Sequence, residues 1–140
     1  MGKKKQKPLF PELDQIVAKL RSGEQQILVI LIVPSHDRDE KPVANQDMWA
    51  QSGLDIMGEI FGGATSFRAI AGVFKSETGR LLHDCPIMIE SYVKQDDLED
   101  HERVKDLLRF CKRMGREMKQ EAVALVVNNV FHLIRDFREA

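Results

Sequence analysis

The sequence predicts an α+β domain in which two long helices pack on a mostly antiparallel sheet. Three observations point there. The longest unbroken apolar run is Ile27-Leu28-Val29-Ile30-Leu31-Ile32-Val33, mostly β-branched and stopped by Pro34, which reads as a strand. Trp49, Gly53, Ile56, Met57 and Ile60 recur at helical spacing, as do Val104, Leu107, Leu108, Cys111, Met114 and Met118. Short apolar runs with turn residues between them account for the rest.

With 140 residues the chain holds one ordinary core. A hydrophobic share of 43% with 31% charged residues is globular rather than disordered. The net charge of −1 supplies no global field for nucleic acid or an anionic membrane. No apolar stretch approaches the roughly 20 residues of a membrane span. The start is basic but has no apolar segment before Pro8, so it does not read as a signal peptide. Cys85 and Cys111 lack metal-type spacing and read as free thiols of a reducing compartment. A cytoplasmic location is expected.

Taken in order, residues 1–8 are a basic disordered tail. Lys3, Lys4, Lys5 and Lys7 offer at most a weak nucleic-acid contact, because no aromatic is interleaved for stacking. Residues 9–23 contain a helix from Pro11, with Leu13, Ile16, Val17 and Leu20 on one face and Ser22-Gly23 as its cap. Residues 24–136 form the main domain. Its first strand does not alternate, so both faces should be covered, as in the middle of a sheet. A charged loop, Pro34 to Asn45, follows, and then a helix from Gln46 or Asp47 to Phe61. Gly62-Gly63 lies at that helix's carboxyl end, the wrong end for a phosphate loop, and reads as a left-handed cap.

Phe67 to Phe74 reads as a second strand and Pro86 to Val93 as a third, paired as an antiparallel hairpin. A helix spans Leu98 to Met118. Val123–Val127 and Val130–Ile134 read as strands joined by an Asn128-Asn129 turn, since asparagine tolerates the left-handed backbone. Arg135 to Ala140 reads as a charged tail. The order past the first helix is βαββαβ plus an extra C-terminal hairpin strand. That is the ferredoxin-like, split βαβ sandwich. One sheet face would stay open unless the first helix or a second copy of the chain covers it.

Pro34-Ser35-His36-Asp37-Arg38-Asp39, Phe61-Gly62-Gly63-Ala64-Thr65, Gly72-Val73-Phe74, Met114-Gly115-Arg116 and Gln120-Glu121-Ala122-Val123 resemble a group of short uncharacterised bacterial proteins of this fold. The resemblance covers about residues 27–134. It implies the fold and brings no activity.

The candidate site is the charged loop. His36, Asp37 and Asp39 are ligand types for a divalent metal, the one cofactor this sequence suggests, and a metal there could activate water for hydrolysis. Such a site needs a distant ligand, for which Glu90, Asp84 and Glu121 are available. Ser35 beside His36 is not a triad spacing, and Cys85 with His83 and Asp84 is near in sequence only. A nucleic-acid platform on the sheet would need aromatics, and the third strand offers only Tyr92. Two readings follow. One is a non-catalytic protein-interaction or self-associating module, with a protein partner or a homo-oligomer such as a homodimer. The alternative is a small metal-dependent, nuclease-like hydrolase on His36, Asp37 and Asp39, possibly with Glu90.

Overall fold

A computed structural model describes residues 11–22 and 26–139. Helix α1 (Pro11–Ser22) precedes strand β1 (Gln26–Val33), followed by α2 (Gln46–Phe61), β2 (Thr65–Arg68), β3 (Gly72–Lys75), β4 (Leu81–Asp84) and β5 (Ile87–Lys94). The chain continues through α3 (Gln95–Glu99), α4 (His101–Glu117), β6 (Val123–Val127) and β7 (Val130–Ile134). The main sheet has the order β2-β5-β1-β6-β7. Its first four strands have the ferredoxin-like arrangement, and β7 extends it by one hairpin. All its pairings are antiparallel.

The apolar run does form the central strand. One face of it is dry: Val29, Leu31 and Val33 are fully buried, alongside Ile87, Ile89, Ser91 and Val93 of β5 and Val123 and Leu125 of β6. Helices α2 and α4 cover this face with Trp49, Met57 and Ile60, and with Leu107, Phe110, Cys111 and Met114. Trp49 and Phe110 meet edge to face at 5.8 Å, and the Arg113 guanidinium lies 5.4 Å from the Trp49 ring centre. Gly53 lies where the helix presses on the sheet. A Cβ there would come within 2.6 Å of Ile89 Cδ1. The buried hydroxyl of Ser91 donates to the Gly63 carbonyl at 2.8 Å, and among the described residues no buried side-chain nitrogen or oxygen lacks a partner.

The other face departs from the expectation of two covered sides. Leu28, Ile30 and Ile32 on β1 are only partly buried, and no described element shields the face. Nor does α1 cover it: Leu13 and Ile16 are each 54% exposed. An all-apolar strand therefore reports a central position here, not a sandwiched one. The Lys3, Lys4, Lys5 and Lys7 tail lies outside the described residues.

The expected strand Phe67 to Phe74 is two strands. Residues 69–71 break it, so β2 pairs with β5 while β3 and β4 form a separate ribbon. Apolar continuity hid the break, which is visible only in the pairing. The Glu77-Thr78-Gly79 turn closes β3 onto β4, with Gly79 at φ 83 and Ser76 Oγ accepting from the Arg80 N–H at 3.1 Å. The expected helix from Leu98 is likewise divided. Asp100 is extended, and its carboxylate accepts the N–H groups of Glu102 and Arg103, capping α4. Gly62 takes the left-handed cap (φ 87), and Asn128 and Asn129 the left-handed turn (φ 51 and 65), as their types require.

The charged tail folds back on α4. Phe137 packs against Gly115, where a Cβ would lie 2.3 Å from its ring, and Arg116 donates to the Phe137 carbonyl. Asp136 is held well below the usual carboxylate range by its Arg138 hydrogen bonds. Gly115→Ala should therefore eject this segment and cost about 1–3 kcal/mol, as overpacking does. Urea unfolding together with limited proteolysis after Arg135 checks it. The two thiols also differ. Cys85 is exposed, whereas Cys111 is buried and its thiol is pushed up to about 12 by desolvation. A chromogenic disulfide reagent at pH 8 should titrate one thiol in the native protein and two after denaturation.

Candidate functional site

Pro34 directly follows the carboxyl end of β1. The next residue is gripped on all sides. The Ser35 N–H donates to Asp84 Oδ1 at 2.8 Å, the Ser35 hydroxyl donates to the same oxygen, and the Cys85 N–H donates to Ser35 Oγ at 2.9 Å. His36 Nδ1 lies 2.7 Å from Ser35 Oγ and 3.8 Å from Asp84 Oδ1. With the hydroxyl proton directed at Asp84, the Nδ1–H of His36 is the donor to Ser35. Its Nε2 makes no hydrogen bond among the described residues. The histidine side chain is 38% exposed and Asp84 20%.

The neighbouring serine and histidine do face one another, contrary to the sequence expectation. Both lone pairs of Ser35 are occupied, and its proton sits on a carboxylate. Ser35 thus works as a tether between β1 and the β4–β5 junction, while the free ring nitrogen of His36 is the group able to move a proton. Gln120 Nε2 donates to the His36 carbonyl at 2.8 Å, and the Arg38 N–H donates to the Lys119 carbonyl at 3.0 Å. These bonds fasten the loop to the end of α4.

The three loop candidates separate. Asp37 braces the loop: its Oδ1 accepts the N–H groups of Asp39 and Lys41 at 2.8 and 3.0 Å. The Lys41 N–H is the main reason its carboxyl lies below the ordinary value. Asp39 points to solvent with no side-chain partner among the described residues. Of the distant ligand candidates, Asp84 does reach His36, Glu121 faces Arg135 at 4.0 Å, and Glu90 lies in mid-sheet. Among the described residues no group of three or more His, Cys, Asp or Glu could hold a metal ion. The geometry therefore lends nothing to the metal-dependent hydrolase.

The second region is the open sheet face. Register places Thr65, Glu90, Ile30, Val126 and Phe131 in one row across all five strands. Phe67, Met88 and Ile32 form the next row, Ala124 pairs with Leu133 further along, and Tyr92 and Leu28 lie on the other side. Glu90 is the only charged residue in these rows, half-buried, and its carboxylate has no hydrogen bond or ion pair among the described residues. Beside it Tyr92 is 61% exposed and Phe67 47%, and Phe131, three strands away, is 59% exposed. Alternation along β5 is enough to put Tyr92 and Glu90 on one face of this strand. It could not bring in Phe67 and Phe131, which arrive through strand pairing.

A carboxylate without a cation on an apolar surface is a standing cost. It becomes favourable when a cation lands on it, and π faces beside it add to that attraction. The edge cluster, by contrast, has its serine and carboxylate paired and leaves only His36 Nε2 open among the described residues.

No family model matches the chain, and no curated protein matches it. Solved structures do. A phage SAM lyase in complex with S-methyl-5'-thioadenosine superposes with a TM-score of 0.56 at 16% identity, over 81% of this chain and 92% of that one. A phage SAM lyase in the apo state gives 0.56 at 15% identity, over 84% and 95%. At such identities the likeness establishes the fold. It also overturns the expected non-catalytic association module as the leading reading, because the two phage structures, matched over nearly their whole length, are of lyases.

Proposed function

We propose that this chain is a small enzyme that binds S-adenosylmethionine on the open sheet face and cleaves it as a lyase. The observation that carries the reading is Glu90, the lone carboxylate among the face's apolar and aromatic side chains. A sulfonium ion is a positive charge inside an apolar skeleton, and adenine is a flat ring. A carboxylate beside Tyr92 and Phe67 suits both. The shared fold with SAM lyases supports the choice of substrate and reaction.

Breaking the carbon–sulfur bond to the amino-acid chain leaves S-methyl-5'-thioadenosine, with the electron pair on sulfur. The departing fragment closes on its own carboxylate, so no water is consumed and no proton changes hands. Charge on sulfur disappears along this path. An apolar face therefore favours the transition state over the fully charged substrate, while Glu90 holds the cation in place at the start. Two unpaired thiols suit a cytoplasmic protein.

The test is direct. Purified protein incubated with S-adenosylmethionine should form S-methyl-5'-thioadenosine, seen by reversed-phase chromatography above a no-protein control. Absence of that product at micromolar enzyme overturns the reading.

A further inference from the structure

We infer that the first 21 residues dock this protein on an anionic lipid surface, with helix α1 lying in the interface. The inference goes beyond the lyase reading and leaves the sheet face to the ligand. Charge is unevenly placed along the chain. Residues 1–21 hold six basic side chains, four of them Lys3, Lys4, Lys5 and Lys7, against the two acids Glu12 and Asp14. That is an excess of four positive charges. Since the whole chain totals −1, residues 22–140 carry an excess of five negative ones. The near-zero total therefore conceals a basic start on an acidic body. An anionic surface attracts the first and repels the second, so the start makes the contact.

Helix α1 supplies the apolar half of the contact. Leu13, Ile16 and Val17 recur at i, i+3 and i+4 and share one face. Every residue from 11 to 18 is exposed, and none belongs to the core, so the domain does not take this stripe in. A helix of twelve residues is marginal in water unless its amphipathic face is packed. The lipid interface accepts such a face and leaves the polar side to water. Glu12 and Asp14 lie in the first turn, where they complement the helix dipole. Firm attachment to a membrane surface takes two signals, an apolar insertion and a polybasic stretch, and this segment carries both. A nucleic acid would engage the lysines but has no use for an aliphatic stripe, and no aromatic stands among the lysines for stacking.

Co-sedimentation of the full chain with vesicles tests the proposal. Vesicles of about one-third phosphatidylglycerol in phosphatidylcholine should carry the protein down, phosphatidylcholine alone should not, and about 0.5 M salt should release it, because screening shortens the electrostatic reach. Leu13→Gln with Ile16→Gln should weaken binding about tenfold or more at unchanged charge, and Lys3→Gln, Lys4→Gln, Lys5→Gln and Lys7→Gln together should do the same. Both variants should keep the wild-type urea midpoint, because no core residue is touched. Wild-type protein left in the supernatant by the anionic vesicles would overturn the proposal, as would equal binding to neutral vesicles or wild-type affinity in either variant. So would an RNA oligonucleotide bound more tightly than the vesicles and equally well after the Leu13 and Ile16 substitutions, which would assign the basic start to nucleic acid. None of these readouts involves turnover, so this inference and the lyase reading fail separately.

Discussion

Leu31→Ala is expected to cost about 2–5 kcal/mol of unfolding free energy, the largest single stability loss in this chain. Leu31 is fully buried in the central strand, between Ile89 on β5 and Leu125 on β6, with Cδ2 3.4 Å from where a Cβ on Gly53 would lie. Strands on both sides and a helix above hold the walls in place, so the cavity cannot collapse. Ile32→Ala is the control. It removes a side chain of similar size from the same strand but from the open face, where the void fills with water, and it should cost clearly less. Urea midpoints at a constant slope decide the matter. Equal losses for the two variants would mean that the second face is as dry as the first.

Glu90→Gln is expected to weaken S-adenosylmethionine binding about 10- to 100-fold, the range of a charge-assisted contact of ~1.5–3 kcal/mol. Binding of the neutral S-methyl-5'-thioadenosine should stay within about twofold. Tyr92→Ala should weaken both, because stacking does not depend on the sulfonium charge. Calorimetric titration of the three proteins with the two ligands separates charge from stacking. A Glu90→Gln variant that binds the cation as tightly as the wild type removes Glu90 from the site. The substitution is isosteric and sits on the open face, so the fold should be unaffected.

The helices, the first and last strands, the Asn128-Asn129 turn and the glycine cap were all legible from periodicity and residue type, because each is a local requirement. The break at residues 69–71 was not, since apolar residues run through it and only the partner of each half differs. The candidate loop was legible as a place and misread in its parts. Asp37 is spent on backbone N–H groups, and the partner of His36 is Asp84, 48 positions away in the sequence. Ser35 meets its histidine neighbour because the Cys85 N–H and the Asp84 carboxylate, from a distant segment, converge on that point. No spacing rule encodes such a convergence.

What the sequence determined by itself was the kind and order of most elements, the β3–β4 ribbon and the division at Asp100 excepted, since hydrophobic period and turn chemistry act within a few residues. Tertiary structure alone decided which apolar surfaces are dry. Ile30 and Leu31 are neighbours of nearly equal hydrophobicity, yet one looks out from the open face and the other sits in the core. The side chains of a strand alternate, and only the packing of α2 and α4 on one side selects which half loses its water. The same selection leaves Glu90 accessible in a row that runs across five separate strands, beside apolar residues of three of them.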